Sequence, residues 1–316
     1  PAASPVAGGA TPAAALAQGV QPDGSWVFTD DRGITVTLPQ PPQRIFANLN
    51  AAAPLTDFGV ELVGTYANVI PPDDPTWGNV DRDLPNLVAD EMLDVEGLVA
   101  LQPDLFVAVT WDPDEPYWVW GIEEGSYDLV NGIVPIICIS TLGDPAESIG
   151  RFEALAGALG ADLDTPELTA AREAYHGAID DLATVAAAKP DLRVLYAYIP
   201  AEGDWLAAIP QDWPELEMYE RLGVNIVSAS KEGNQYWESI SREDALRYPA
   251  DVLMSSAFVE SYRLEDLQQD PTFSRRPDVR AGQVGMWRSD FIMSYQGMTE
   301  PMQQFTALLE RSEPVG

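Results

Sequence analysis

What most limits the fold of this chain is one unbroken amphipathic stretch lying between two runs of much shorter elements. Thr165 stands ahead of Pro166, a capping residue before a proline at the first helical position. Leu168, Tyr175, Ile179, Leu182 and Val185 then recur at helical spacing until Lys189-Pro190 ends the pattern. Roughly 23 residues at ~1.5 Å rise predict a rod about 34 Å long, the width of a small domain. A second apolar helix precedes it, marked by Ile149, Phe152, Ala156 and Leu159 and stopped at Gly160.

On both sides of the rod the apolar residues come in short bursts. Before it, 44–47, 61–64, 104–109 and 134–140 read as strands, with helices at 52–58, 94–101 and near 125–131. Residues 26–38 alternate and turn at Asp31-Arg32-Gly33, which predicts a hairpin. After the rod, strands at 193–199, 224–227, 251–255 and 283–288 alternate with helices at 214–222, 242–248, near 264–269 and 299–310. Short strands alternating with helices predict mostly parallel sheets. The fold class is α/β: two Rossmann-like lobes joined by one long connecting helix. The lobes fall at 25–144 and 191–316, with the helical connector at 145–190. Residues 1–24 are rich in Pro, Gly and Ala without a hydrophobic period, which predicts a flexible tether. A soft spacer running into a folded body resembles an exported lipoprotein whose signal and lipidated Cys lie upstream.

Charge and rare residues remove whole classes of function. The chain has 17 Lys plus Arg against 50 Asp plus Glu, a net charge of −33. Such a surface repels phosphate backbones and anionic lipid, which excludes nucleic-acid binding through a basic field. Its single Cys, Cys138, cannot form an intrachain disulfide, and its place in an apolar run predicts a buried, inert thiol. Its single His, His176, lies in the long helix and cannot build a multi-histidine zinc site. No G-x-S-x-G elbow accompanies it, and no apolar run approaches ~18 residues.

The two halves share a local pattern. Asp94-Val-Glu96-Gly-Leu-Val-Ala-Leu-Gln-Pro-Asp104 opens with a helix cap, carries Glu two positions on, and enters a strand after Asp. Ser241-Arg-Glu243-Asp-Ala-Leu-Arg-Tyr-Pro-Ala-Asp251 does the same. Glu96 and Glu243 are 147 residues apart, and so are Asp104 and Asp251. Acidic residues in a first helical turn complement the macrodipole, but that alone does not repeat a whole unit in both halves.

With these motifs the chain resembles the periplasmic-binding-protein class that serves ABC importers of iron–siderophores, haem and cobalamin. Arg44-Ile-Phe-Ala, LTDFGVELVG at 55–64 and LVALQPDL at 98–105 are similar to its N-lobe signature. FEALAGALG at 152–160, residues 241–253 and VRAGQVGMW at 279–287 are similar to its connector and C-lobe. The resemblance spans about residues 40–312. It implies a ligand cleft between the lobes with modest closure, and a monomeric, extracytoplasmic binding protein, in the periplasm or lipid-anchored at the cell surface. It implies no enzymatic activity and no cofactor. The cargo it implies is a ferric siderophore or a related iron or tetrapyrrole complex. It also implies that one glutamate per lobe docks on an ABC permease, and Glu96 and Glu243 match that motif. A helix leading into a parallel strand starts at the carboxyl edge of the sheet, where α/β ligands bind, so both belong on the cleft rims.

Position selects the ligand-binding candidates. Trp111, Tyr117 and Trp118 follow a strand's carboxyl end, as do Tyr66 and Trp77. In the second lobe Tyr198, Trp205, Tyr236, Trp237 and Trp287 lie in or beside strand-end loops, and Arg288 ends a strand. Asn48 and Asn50 close the first core strand and offer amides to a carboxylate or hydroxamate. Two other functions fit part of the pattern. Paired carboxylates with Trp platforms suit a glycoside hydrolase, although the patterned glutamates sit at exposed helix starts where burial does not raise a pKa. A solute sensor would share the fold and differ in its partner.

Overall fold

A computed structural model describes residues 18–315 apart from 69, 113, 114, 116, 124, 233, 258–260 and 290. Positions 1–17 of the expected tether lie outside the described residues. Folded structure begins at β1 (Gly19–Val20), inside the stretch whose composition predicts a tether. It pairs antiparallel with β2 (Trp26–Thr29), which pairs with β3 (Thr35–Leu38) in the expected hairpin. Trp26 and Phe28 are buried, and the Trp26 indole donates to Ala158 O at 2.6 Å, which ties this small sheet to the connector.

The first lobe runs β4 (Ile45–Asn48), α1 (Leu49–Asp57), β5 (Leu62–Tyr66), the β6–β7 ribbon (Val88–Ala89, Met92–Leu93), α2 (Val95–Leu101), β8 (Leu105–Thr110), α3 (Tyr127–Ile133) and β9 (Ile136–Ser140). Its sheet is parallel, in the order β5-β4-β8-β9. Every residue of β8 is buried, as a strand covered on both faces must be. The connector is α4 (Pro145–Ala158) followed by α5 (Pro166–Ala188), whose 23 residues and Thr165 cap match the predicted rod.

The second lobe runs β10 (Arg193–Tyr198), β11 (Trp205–Ala208), α6 (Pro214–Arg221), β12 (Asn225–Ile226), β13 (Trp237–Ile240), β14 (Val252–Ser256), α7 (Leu264–Gln269), α8 (Pro277–Ala281), β15 (Val284–Trp287) and α9 (Tyr295–Arg311). Its sheet has the order β13-β11-β10-β14-β15, with β12 also beside β10. Here β10, β12, β14 and β15 are parallel, while β11 and β13 form an antiparallel extension.

The internal repeat is built into both sheets. Ile45 pairs with Leu105 in one lobe and Val194 with Val252 in the other. Asp104 accepts from Gln43 N and donates its own N–H to Arg44 O, both at 2.9 Å. Asp251 accepts from Arg193 N and donates to Arg193 O, again at 2.9 Å. Each aspartate thus fixes the start of its lobe's first core strand.

One predicted helix is absent. Residues 242–248 form a single 3₁₀ turn, Arg242–Asp244, rather than an α-helix. Ser241 makes no capping hydrogen bond, whereas Asp94 accepts from Gly97 N at 2.9 Å at the start of α2. Pro249 also disfavours helical geometry at Tyr248. Tertiary ties decide the rest: the Arg242 guanidinium lies 5.2 Å from the Tyr262 and Phe273 ring centres and bonds Asp270 at 2.7 Å.

Asp251 gives a direct stability test. Burial pushes its carboxyl up, but bonds from the Arg193 side chain and from the Arg193 and Val315 N–H groups outweigh this and hold it below the ordinary value of 3.8. Its contribution is therefore complete above that ordinary value and is lost as the pH falls through the lower folded one. Asp251→Ala should cost about 3 kcal/mol in denaturant unfolding at neutral pH, with the difference from wild type shrinking in acid.

Candidate functional site

The carboxyl ends of both sheets face a cleft between the lobes, the position that open α/β sheets use for ligands. Two of its compartments bear on the ligand-binding candidates. The first is a cavity of about 420 Å³. Asn50, Trp111, Trp118, Thr141 and Leu142 line it from the first lobe, and Trp213, Glu215, Tyr236, Trp237, Phe291 and Met293 from the second. The other is a crevice of about 740 Å³ bounded by Asp74 and Arg82 of the first lobe, Arg263 and Arg288 of the second, and the start of α9. Both volumes lie within the ~300–1,000 Å³ range of small-molecule sites. Residues 288, 289 and 291–293 are shared between them: Ser289, Phe291 and Met293 line the first compartment, Arg288 and Ile292 the other.

Trp213 organises the aromatic wall. Its ring lies 5.3 Å from Tyr236, 5.0 Å from Trp237 and 5.0 Å from Trp287, each edge-on. Trp287 is buried behind it and donates its indole N–H to Glu215 Oε1 at 3.0 Å. Tyr236 has a φ of +63°, an uncommon backbone for a side chain of this size. Three hydrogen bonds hold it there. Asp212 Oδ2 accepts its N–H at 3.0 Å, and its carbonyl accepts from Ile209 N at 2.9 Å and the Trp213 indole at 3.0 Å. Backbone strain held by such over-determination is a feature of binding sites. Burial raises the Tyr236 hydroxyl pKa, helped by Asp212 and Asp112. Across the cavity Trp111 packs against Trp118 at 5.6 Å, and Trp118 is 44% exposed, presenting its ring to the opening.

The expected binding residues divide between these surroundings. Asn50, Trp111, Trp118, Tyr236 and Trp237 meet in the aromatic compartment. Arg288 lines the other, half-buried, donating to Pro75 O at 3.3 Å across the lobes; burial lowers its pKa while Asp74 and Glu300 oppose the shift. Tyr117 faces outward from the rim, over a hollow it shares with Trp118 and Tyr127.

Besides Tyr117, six candidates lie outside both compartments. Asn48 is buried and caps α1, accepting from Ala51 N at 3.2 Å. Tyr66 is buried with its hydroxyl on Glu91 O at 2.8 Å, its ring filling the space that a Cβ on Gly121 would need. Trp77 is buried and donates to Ile70 O at 3.3 Å. Trp205 lies within β11 against Phe273, Tyr198 ends β10 away from both cavities, and Trp287 supports the wall from behind. Trp213, Glu215, Thr141, Leu142, Phe291 and Met293 were not expected. Asp212-Trp213-Pro214 was a readable signal, an aromatic between a turn-forming Asp and a helix-opening Pro.

Glu96 and Glu243 are both exposed. Leading into α2, Leu93 N bonds Gly121 O at 2.9 Å and Glu91 O takes the Tyr66 hydroxyl, at the strand ends. Arg242, beside Glu243, bonds Pro200 O at 2.7 Å, just beyond β10. Among the described residues, no group of three or more His, Cys, Asp or Glu is arranged to hold a metal ion. None of their helices is long and apolar enough to cross a membrane. His176 sits on α5 with its ring 5.5 Å from Tyr175. Cys138 is buried in β9, where burial pushes its thiol up to about 12. Iodoacetamide at pH 8 should therefore leave the native protein unlabelled and modify Cys138 only after denaturation, as intact mass will show.

The chain matches the family described as periplasmic binding protein over residues 57–291. Among solved structures, it is 31% identical to DesE, a ferric-siderophore receptor protein from Streptomyces coelicolor, with 92% of this chain and 100% of that one covered and a TM-score of 0.84. A siderophore periplasmic binding protein from the fuscachelin gene cluster of Thermobifida fusca shares 19% identity over 86% and 98% of the two chains, with a TM-score of 0.64. The petrobactin-binding protein YclQ from Bacillus subtilis shares 17% over 91% and 99%, with a TM-score of 0.67. The latter two likenesses show the fold. No curated protein sequence matches the chain. The family and these structures are binding proteins, so the glycoside hydrolase alternative falls away.

Proposed function

The chain belongs to the periplasmic binding protein family, and we propose that it captures a ferric siderophore between its lobes and delivers it to an ABC permease. The observation that carries the reading is the aromatic compartment: tryptophans of both lobes meet over one cavity at the carboxyl ends of the strands. Flat, rigid rings suit an apolar ligand periphery at small entropic cost. The cargo brings its iron already coordinated, so the protein need only recognise the outside of the complex. Arg288, from the adjoining crevice, supplies a cation for an oxygen-rich face of the ligand. The 31% identity to a ferric-siderophore receptor supports the same cargo class. Extracytoplasmic residence follows from the family, and the Pro-, Gly- and Ala-rich composition of residues 1–17 fits a spacer of the kind that carries a lipid anchor. The protein acts as a binder, without catalysis.

Ferric siderophores absorb strongly, so their binding quenches nearby tryptophans. Titration with iron(III)-loaded trihydroxamate and tricatecholate siderophores should lower the intrinsic fluorescence saturably with at least one class. A panel of simple sugars should leave it unchanged; quenching by a sugar and by no ferric complex would reject the reading. Arg288→Ala should weaken the ferric complex by about 1.5–3 kcal/mol. Unchanged affinity would remove Arg288 from the site.

Delivery rests on Glu96 and Glu243, exposed charges that set encounter and register rather than ligand affinity. Glu96→Arg combined with Glu243→Arg should preserve ligand affinity and abolish the ligand-stimulated ATP hydrolysis of the reconstituted importer, with single reversals intermediate. Normal stimulation by the double variant would favour a sensor that hands its ligand to another partner.

A further inference from the structure

The repeat carries a second exposed position besides the glutamates. Val99 stands three residues after Glu96, and Leu246 three residues after Glu243, again 147 apart. Their exposures are alike, 53% and 54%. Between glutamate and aliphatic residue, Leu98 and Ala245 are both buried. Each segment thus turns one residue into its lobe and offers a carboxylate and an aliphatic side chain to solvent. On α2 residues i and i+3 share a face, so Glu96 and Val99 are neighbours there; Glu243 lies in the turn Arg242–Asp244 and Leu246 two residues beyond it, and the two lobes match in the order and exposure of the residues rather than in helix geometry.

Singly exposed aliphatic residues are ordinary on a protein surface. Two at the same register of an internal repeat, each beside the same exposed acid, form a pattern. Among the described residues eight large apolar side chains are exposed, and Tyr117 and Trp118 belong to the cleft rim. Val99 and Leu246 are a pair among the eight that the repeat relates.

We propose that Val99 and Leu246 are contact residues of a two-point docking surface for the permease. In each lobe an aliphatic side chain seats beside the glutamate, against a membrane partner that offers, in two equivalent places, a cation next to an apolar pocket. The inference rests on the permease-docking reading of Glu96 and Glu243. Charge complementarity selects a cationic partner for two exposed carboxylates on a chain of net charge −33. Two copies of one patch require two copies of its complement, which a symmetric dimer provides. The aliphatic residue acts differently from the glutamate. Once seated it excludes water from the adjoining ion pair, which strengthens that pair and slows release.

The test measures binding of the chain to liposomes carrying the reconstituted siderophore importer of its own organism, by co-sedimentation over a concentration series. Val99→Ser with Leu246→Ser should raise the half-saturating concentration by about tenfold or more. Val99→Leu with Leu246→Val, which keeps aliphatic surface, should bind as wild type does. Fluorescence titration with the ferric siderophore should give unchanged affinity for both. If the glutamate reversals abolish co-sedimentation and the serine variant still binds like wild type, the aliphatic contact is wrong and the glutamate reading stands. If wild type fails to bind, or the reversals have no effect, the docking reading falls and this inference with it.

Discussion

The packing of α5 against α9 is the contact on which the remaining geometry depends. Leu168, Tyr175, Ala178, Leu182 and Ala186 of α5 are buried, as are Met298, Met302, Phe305, Leu308 and Leu309 of α9. A fully buried Leu or Met contributes about 1.5–3 kcal/mol, against a net stability of about 5–15 kcal/mol for a whole domain. At one end of the pair, Lys189 Nζ donates to Glu310 O at 2.7 Å and to Ser312 O at 2.6 Å. At the other, α9 reaches back to the first lobe and to the connector: Ser294 bonds Asp57, and the Tyr295 hydroxyl donates to Glu153 of α4 at 2.8 Å. A chain that crosses once through α5 is thereby held across the lobes a second time. Burial pushes the Asp57 carboxyl up, with the Ser294 and Asn79 bonds opposing.

That second crossing also sets the cleft. Of the residues just before α9, Ser289, Phe291 and Met293 line the aromatic compartment and Arg288 and Ile292 the arginine-bearing crevice, so α9 cannot shift without reshaping both. The aromatic wall is fixed independently, through the Trp287–Glu215 bond behind Trp213 and the three bonds that hold Tyr236 at positive φ. A wall whose rings are already positioned loses little entropy when a ligand arrives. This matches a carrier that must recognise the outside of a large preformed complex and release it intact.

Much of the fold is legible in the sequence because its signals are local. Thr165-Pro166 and Lys189-Pro190 bracket α5, and the repeated Asp marks where β8 and β14 begin. The antiparallel extension of the second sheet is not legible because α6 and β12 separate β11 from β13, so no turn signal joins them. That omission carried into the site. Trp205 reads as a loop residue when β11 is missed, and Trp213 is overlooked although it follows that strand into the cleft. Tyr66 and Trp77 show the converse limit: a strand-end or loop aromatic can turn inward, and the partners that decide this, Glu91 O and Ile70 O, are visible only in three dimensions. For Glu96 and Glu243 the repeat identified the positions, and the exposure of Val99 and Leu246 beside them needed the coordinates.

A ferric siderophore held in the interlobe cleft is detectable by native mass spectrometry of the protein recovered from its iron-starved host. The expected result is one dominant complex, heavier than the chain by a single small molecule whose isotope pattern carries iron, with the iron and its chelator both leaving on denaturation. A bound sugar or peptide, or iron attached to the chain without a chelator, would contradict it.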